Sequence, residues 1–295
     1  MAQSIGLVTK FMPILDEVYK AASVTARLDS LVRPVEFAGA NVVEVFKTST
    51  PGLGTYSKTA GYPTGFVTGA WETLTLACSR GREFSIDRMD DEESLGMAFG
   101  TLAGEFIRVS VAPEIDAYRF EAYVAGAGAG NEITAGTLTS STVLAALDAA
   151  KAYLDEDSVP QEGRILYVSN TVYGFLQAAV TRMLGNENAV DRRVTSFDGM
   201  PVIQVPQGRF YNLIDLAAGS TGSSGGFSMT SGGKEMNFMM LHPSAVLQVT
   251  KLAQLKIFTP DENQSMDAWK FQYRLYHDAF VYTNKATGIS YMHKA

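Results

Sequence analysis

The sequence predicts an α+β protein in which a compact α/β unit carries elements that reach away from it. Three observations lead there. Two β-patterned stretches within about residues 42–88 enclose a long segment rich in Gly, Pro, Thr and Tyr. A helical pattern of unusual length opens in the acidic run at residues 87–94 and ends in the glycine-rich stretch at 126–130. From about residue 131, strand and helix patterns alternate at the short spacing of an ordinary α/β domain.

The N-terminal segment sets Ile5, Val8, Phe11, Met12, Leu15, Val18 and Tyr19 at helical spacing. Pro13 suits a first turn, so a helix is expected to start near Met12. Residues 31–37 read as an extended linker into a strand at 42–46. Residues 48–70 then carry little charge, and structureless loops beyond roughly 12–15 residues are uncommon unless they serve a function. Tyr56, Tyr62 and Phe66 make this one too aromatic for a flexible linker. Alternating runs at 72–77 and 83–87, separated by Ser79, Arg80, Gly81 and Arg82, read as a β-hairpin. About 20 residues per arm would span roughly 60 Å when extended. A globule of this length has a radius of gyration of only about 19 Å. Residues 42–88 are therefore expected to form a two-armed β excursion that reaches beyond its own core.

The acidic start at Asp90–Glu93 suits the positive end of a helix dipole. Leu95, Phe99, Leu102, Phe106 and Val109 mark one face of the helix that follows. Glycines in a helix cost roughly 1 kcal/mol each relative to Ala, so Gly96, Gly100 and Gly104 require tertiary packing to hold it. Pro113 is expected to kink the helix, which resumes through Ile115, Tyr118, Arg119 and Tyr123 as a spine roughly 50 Å long. Beyond it the pattern gives a strand near 132–138, a helix over 141–154 behind Thr139 and Ser140, a strand over 164–168 and a helix over 172–184. A hairpin over 194–205 turns at Asp198-Gly199, and residues 219–226 form a surface loop. A strand at 236–241, a turn after His242-Pro243, a long strand at 270–283 and a last strand at 289–292 close the chain.

Composition narrows the function classes. Charged residues are 19%, below the roughly 25% of average soluble proteins, while 46% are hydrophobic. That balance fits a surface partly covered by copies of the chain or by partners. The net charge is −7, and the densest basic cluster is the pair Arg192-Arg193, so no basic stripe is present for nucleic acid or an acidic membrane. Cys78 is the one cysteine, which excludes an intramolecular disulfide. Neither a secretory signal pattern nor an apolar run of about 20 residues is present, so the chain is expected to be cytosolic at synthesis and to have no membrane partner.

The motifs that formally match catalytic patterns fail on context. Gly222, Ser224 and Gly226 match G-x-S-x-G, but they lie in a Gly/Ser loop rather than between a strand and a helix. The glycines at 126–130 follow a helix, unlike a dinucleotide fingerprint. Gly232-Gly233-Lys234-Glu235 lacks the Ser/Thr of a phosphate loop. His277 and Asp278 are strand neighbours expected on opposite faces. Three separated histidines and one cysteine make a poor metal set. No catalytic, cofactor-binding or metal residue is assigned, and the chain is read as a non-enzyme without cofactors.

The order of elements, with the segments Arg164–Tyr173, Asp198–Pro206, Phe238–Val246 and Tyr273–Val281 closed by Gly288–His293, resembles tailed-bacteriophage major capsid proteins of the Hong Kong 97-like fold over essentially the whole chain. The resemblance implies an N-terminal arm (1–41), an extension loop (42–88), a peripheral domain with the spine helix and long strands (89–130 and 251–295) and an axial domain (131–250). It implies a structural subunit that self-assembles as pentamers and hexamers into an icosahedral shell, with scaffolding, portal and decoration proteins as partners. Such a shell encloses double-stranded DNA without sequence-specific binding, and is made in the bacterial host cytoplasm as the virion capsid. Met1 so close to the arm is expected to go with a separate scaffolding protein. Inter-subunit contacts are expected at Tyr56, Lys58, Tyr62, Phe66, Trp71 and Phe11. The founding member links its subunits through a loop lysine, and Lys47 and Lys58 occupy that region here, with no partner residues matched. Two alternatives stand beside the capsid: an encapsulin-type shell around a cargo enzyme, and a serine hydrolase using Ser224.

Overall fold

The structure is a computed structural model and describes residues 23–29, 42–93, 104–134, 136–179, 183–184, 190–191, 193–220 and 224–295. The expected N-terminal helix start near Met12, with Phe11, falls outside these residues; a short separate helix, α1 (Ala26–Asp29), follows non-helical residues 23–25.

The excursion is a two-stranded ribbon. β1 (Val42–Ser49) and β2 (Thr68–Thr75) pair antiparallel in unbroken register from Val42↔Thr75 to Ser49↔Thr68. The hairpin expected between 72–77 and 83–87 does not form. β2 ends at Thr75, and β3 (Cys78–Asp87) is one continuous strand paired with β13 (Ala268–Val281). Alternation marks a strand without naming its partner, and Gly81 marks a close approach rather than a turn. A Cβ there would lie 3.0 Å from the Tyr273 carbonyl oxygen. On its other side β13 pairs with β12 (Val246–Phe258), which bulges between Thr250 and Leu252 and which the sequence reading did not include as a strand. The result is a three-stranded sheet in the order β12-β13-β3.

α2 (Arg88–Glu93) follows β3, and the described part of the spine begins at residue 104. A π-helical turn, Ile107–Val111, runs directly into α3 (Ala112–Ala127). Pro113 lacks an N–H and sits just after this wide turn, so the expected irregularity is a change of helical winding one step before the proline. Gly128 ends the helix at φ +80°, its N–H bonded to the Val124 carbonyl. Phe106 seats the spine on the sheet, its ring 5.0 Å from Phe84, 6.2 Å from Phe271 and 6.0 Å from Tyr273. Leu95, Phe99 and Leu102 lie outside the described residues.

The α/β unit is built on a five-stranded mixed sheet in the order β14 (Ile289–His293), β11 (Met236–Leu241), β4 (Ile165–Ser169), β8 (Met200–Val205), β7 (Ser196–Phe197). All of β4 is buried, because both faces of the sheet are covered. Ile165 and Tyr167 face Phe120 and Tyr123 of α3, with Phe210 and Met239. Leu166 and Val168 face α4 (Val143–Glu156) and α5 (Asn170–Ala179) through Leu147, Leu154, Val172 and Leu176. The β7–β8 turn has Asp198 at φ +46° and Gly199 at φ +81°, the left-handed pair that the Asp-Gly dipeptide predicts.

Two expectations change within this unit. The described residues of 132–138 hold no strand, only a single bridge from Glu132 to Tyr291. The helix expected to reach 184 is described as Asn170–Ala179, and Met183–Leu184 instead form β5, paired with β6 (Val190–Asp191). A further hairpin, β9 (Ile214–Ala217) with β10 (Gly226–Met229), packs on the spine, where Glu121 accepts the Ile214 N–H at 3.1 Å.

One carboxylate joins the chain's early residues to both halves of the structure. Asp116 of α3 is fully buried. It accepts from the Ser23 and Thr25 hydroxyls at 2.7 Å each and from the Val24 and Thr25 N–H groups at 3.1 Å each. Arg209, buried beside β8, reaches it at 2.9 Å. Asp116→Ala leaves the guanidinium and two backbone donors without their acceptor. It is expected to cost about 3–5 kcal/mol of unfolding free energy in urea, as for other broken buried pairs.

Candidate assembly interface

The β1–β2 ribbon has a buried root and an uncovered body. At the root Val43 and Leu76, each 2% exposed, pack with Leu247 and Val249 of β12. Val45, Leu74, Tyr276 and Phe280 close around them. A polar clamp sits beside this cluster. Glu72 accepts from Lys47 at 2.6 Å and from the Thr283 hydroxyl, tying the ribbon to the chain after β13. Burial alone would raise the Glu72 carboxyl, but the Lys47 and Thr283 hydrogen bonds outweigh it and hold the group below the usual carboxylate value.

Within and beyond the clamp, apolar side chains face outward. Phe46 and Trp71 are direct cross-strand partners with ring centroids 5.0 Å apart. Trp71 is nevertheless 63% exposed. Phe46 also lies across Gly69, where a Cβ would come within 2.5 Å of its ring, so the glycine lets the ring lie flat on the strand.

The tip is a defined turn rather than a loose loop. Ser57 and Gly61 exchange backbone hydrogen bonds of 3.1 and 2.8 Å, Gly61 takes φ +77°, and the Ser57 hydroxyl accepts the N–H groups of Thr59 and Ala60. This turn sets Tyr56 and Tyr62 ring to ring at 4.9 Å. Leu53, Tyr62 and Phe66 project from it, Phe66 at 79% exposure, with Lys58 exposed between them. Large exposed apolar side chains thus recur along the ribbon from Phe46 and Trp71 to Leu53, Tyr62 and Phe66.

The structure thus gathers Tyr56, Lys58, Tyr62, Phe66 and Trp71 on one projection, while Phe11 lies outside the described residues. Phe46 and Leu53 join this set without having been singled out from sequence. Phe46 becomes recognisable only once the register sets it opposite Trp71.

Groups that resemble catalytic ones have other duties. His277 meets Cys78 at 3.6 Å, Nε2 to Sγ, instead of Asp278. Asp278 accepts from the Tyr118 hydroxyl and the Ala77 N–H at 2.8 Å each. The Tyr118 ring also stands edge-on to His277 at 5.3 Å, so the two strand neighbours do meet one common side chain. Burial, and then the Asp278 and Glu114 charges, push the Cys78 thiol up to about 11, which keeps it a neutral packing group. Ser224 is exposed on the loop that enters β10, a strand, which is not the strand-to-helix turn a nucleophile elbow requires. Among the described residues no group of three or more His, Cys, Asp or Glu side chains is placed to hold a metal ion.

Two measurements separate root from tip and probe the joint beneath them. Leu76→Ala is expected to destabilise the subunit by about 2–4 kcal/mol, because it empties a buried site. Phe66→Ala is expected to change it by less than about 0.5 kcal/mol, because the side chain is largely exposed. Burial and the Arg119 charge lower His277 to about 4, against an ordinary 6.5. Between those values the unfolded chain binds the proton that the folded chain refuses, so stability is full above 6.5 and is lost as pH falls toward 4. His277→Gln is expected to flatten that part of the stability profile, measured as the urea midpoint against pH for both proteins.

No family model matches the chain, and no curated protein sequence does. Solved structures do match it along its whole length. One from Mycobacterium phage Che8 superposes with a TM-score of 0.65 at 16% identity, covering 99% of this chain and 98% of that one. The asymmetric unit of the bacteriophage PhiM1 mature capsid gives 0.65 at 13% identity, covering 98% and 92%. The capsid structure of cyanophage P-SCSP1u gives 0.66 at 12% identity, covering 98% and 93%. At these identities the likeness is one of fold: the chain has the α+β, Hong Kong 97-like fold of phage capsid structures.

Proposed function

We propose that the chain is the major structural subunit of an icosahedral bacteriophage capsid. The observation that carries this is the β1–β2 ribbon, rooted in its own core yet apolar on the outside, in a chain with a capsid fold from end to end. A projection that its own subunit does not cover, repeated once per copy, makes a heterologous contact, and such contacts close into rings when the rotation permits. On this reading residues 1–41 are an arm, 42–88 carry the extension loop, 89–130 with 251–295 form the peripheral domain, and 131–250 form the axial domain. Pentamers and hexamers of these subunits build a shell in the host cytoplasm, with scaffolding, portal and decoration proteins as partners and duplex DNA as contents. The net charge of −7 suits a container that holds DNA without adsorbing it.

Two aromatic pairs supply the contact. Phe46 with Trp71, and Tyr56 with Tyr62, are already packed ring to ring in tilted pairs within the subunit, so less side-chain freedom remains to be lost on docking. Deleting residues 52–66 is expected to leave a folded subunit, with unchanged circular dichroism and urea midpoint, that gives no shells in electron micrographs with or without scaffold. Normal shells from that deletion would refute the proposed role of the loop.

A further inference from the structure

The three-stranded sheet has a long edge with no strand beside it. Its order is β12-β13-β3, so among the described residues β12 pairs on one side only. The bulge between Thr250 and Leu252 divides this strand in two. Residues 246–249, before the bulge, are buried. Beyond it Ala253, Gln254, Leu255, Lys256 and Ile257 are exposed in succession. Successive strand residues point to opposite faces, so this stretch is uncovered on both. Along such an edge, alternate residues turn their N–H and C=O groups outward as a template for another strand. Leu255 and Ile257 stand across from Tyr273 and Phe271, on the face that seats Phe106 of the spine. They are nevertheless 40% and 46% exposed. Lys256 is the one charge between residues 252 and 258, a sparse guard for an edge meant to stay unpaired.

The side chains of this stretch select its occupant, because they complement themselves. Set against itself in antiparallel order and centred on Leu255, the segment places Leu255 opposite Leu255, Ala253 opposite Ile257 and Gln254 opposite Lys256. The apolar side chains then share the spine face, and the polar ones share the other. Centring on Lys256 instead would set two lysines directly opposite each other, which is destabilising. Centring on Gln254 would set Lys256 against the apolar Leu252. The operator that pairs one strand with its own copy in this way is a two-fold axis normal to the sheet. It leaves both spines on the same side, as copies in a closed shell with one outward face require.

We infer that the outer half of β12 pairs with β12 of a second copy, antiparallel and centred on Leu255. The inference rests on the shell reading, and it names a contact separate from the aromatic ribbon. An open edge supplies the backbone groups, and the self-matching register supplies the specificity. One such pairing is a small contact by itself. Repeated around a closed shell, the pairings act together and fix the angle between neighbouring copies.

The test reads the register in the full chain. Directly opposed antiparallel residues have Cα atoms about 4.5–5.5 Å apart, within disulfide reach. Cys78 is the chain's one cysteine and is buried, so Leu255→Cys supplies the accessible thiol. Mild oxidation of assembled particles of this variant is expected to give a covalent dimer on a non-reducing gel. Ala253→Cys is expected to stay monomeric, because position 253 of the second copy lies four residues away, roughly 13 Å along the strand. Ala253→Cys with Ile257→Cys in one chain is expected to restore the dimer. Leu255→Lys and Leu255→Glu are each expected to lower particle yield about tenfold or more with the urea midpoint unchanged, because like charges then face each other. An equal mixture of those two variants is expected to recover the yield. A monomeric Leu255→Cys in particles overturns the inference, and is what a neighbour's ribbon or an unrelated strand on this edge would give. Equal cross-linking by Ala253→Cys alone, or unreduced yield from Leu255→Lys and Leu255→Glu, overturns it also. An unsubstituted chain that never forms particles brings down the capsid reading, and this contact with it.

Discussion

The pairing of β3 with β13 is the constraint on which the rest of the architecture depends. It joins strand residues whose bonded side chains, such as Cys78 and His277, are 199 positions apart in sequence. Through it the residues that return from the β1–β2 ribbon become part of the sheet that seats the spine. The same strand fixes Asp278, whose carboxylate takes the Tyr118 hydroxyl from α3 and the Ala77 N–H from the root of the ribbon. Breaking that ladder would therefore detach the ribbon and the spine together. Contacts of such separation form late and slowly, because loop closure must be met before they contribute.

Local chemistry made much of the α/β unit legible in the sequence. The run Ile165–Ser169 is apolar on both faces because it is covered on both, and Asp198-Gly199 specifies its own turn. The five aromatic and lysine positions proposed on the ribbon are on it because the segment's composition has no explanation as linker or core. What sequence did not reveal depends on partners. The alternation around Gly81 is equally consistent with a local hairpin and with a strand paired to β13, and only tertiary structure selects the second. β12 was missed because its outer half carries Lys251, Gln254 and Lys256 among its apolar residues, a mixture that suits a sheet whose outer face is in water. The π-helical turn before Pro113 has no periodic signature, since it changes the winding for a single turn.

The scarcity of charge takes on a location. Between the clamp at Lys47 and Glu72 lie 24 residues with a single charged side chain, Lys58. Elsewhere the charges that are spent do structural work in named places: Asp116 with Arg209 under the spine, Arg164 with Asp155 at the end of α4, and Arg80 with Glu114 across the spine-to-sheet contact. The chain therefore does not lack charge evenly. Among the described elements, it withholds charge from the ribbon that leaves the core.

That distribution explains how one sequence keeps folding and association apart. The two large apolar clusters, around Phe120 and Tyr167 on one side of the five-stranded sheet and around Leu147 and Leu166 on the other, form without any contribution from the ribbon beyond its root. The ribbon in turn cannot collapse onto them. Its eight paired positions make it stiff, the Glu72 clamp fixes its angle at the base, and its aromatics are occupied with one another. An apolar surface that is denied its own core stays in water until a second molecule covers it. The free energy of that burial is thereby reserved for association, at roughly 25 cal/mol for each Å² removed from water before the costs of docking are met. On the proposed capsid reading, such a subunit is held together by its sheet and spine and is driven to assemble by the part of itself that it holds at a distance.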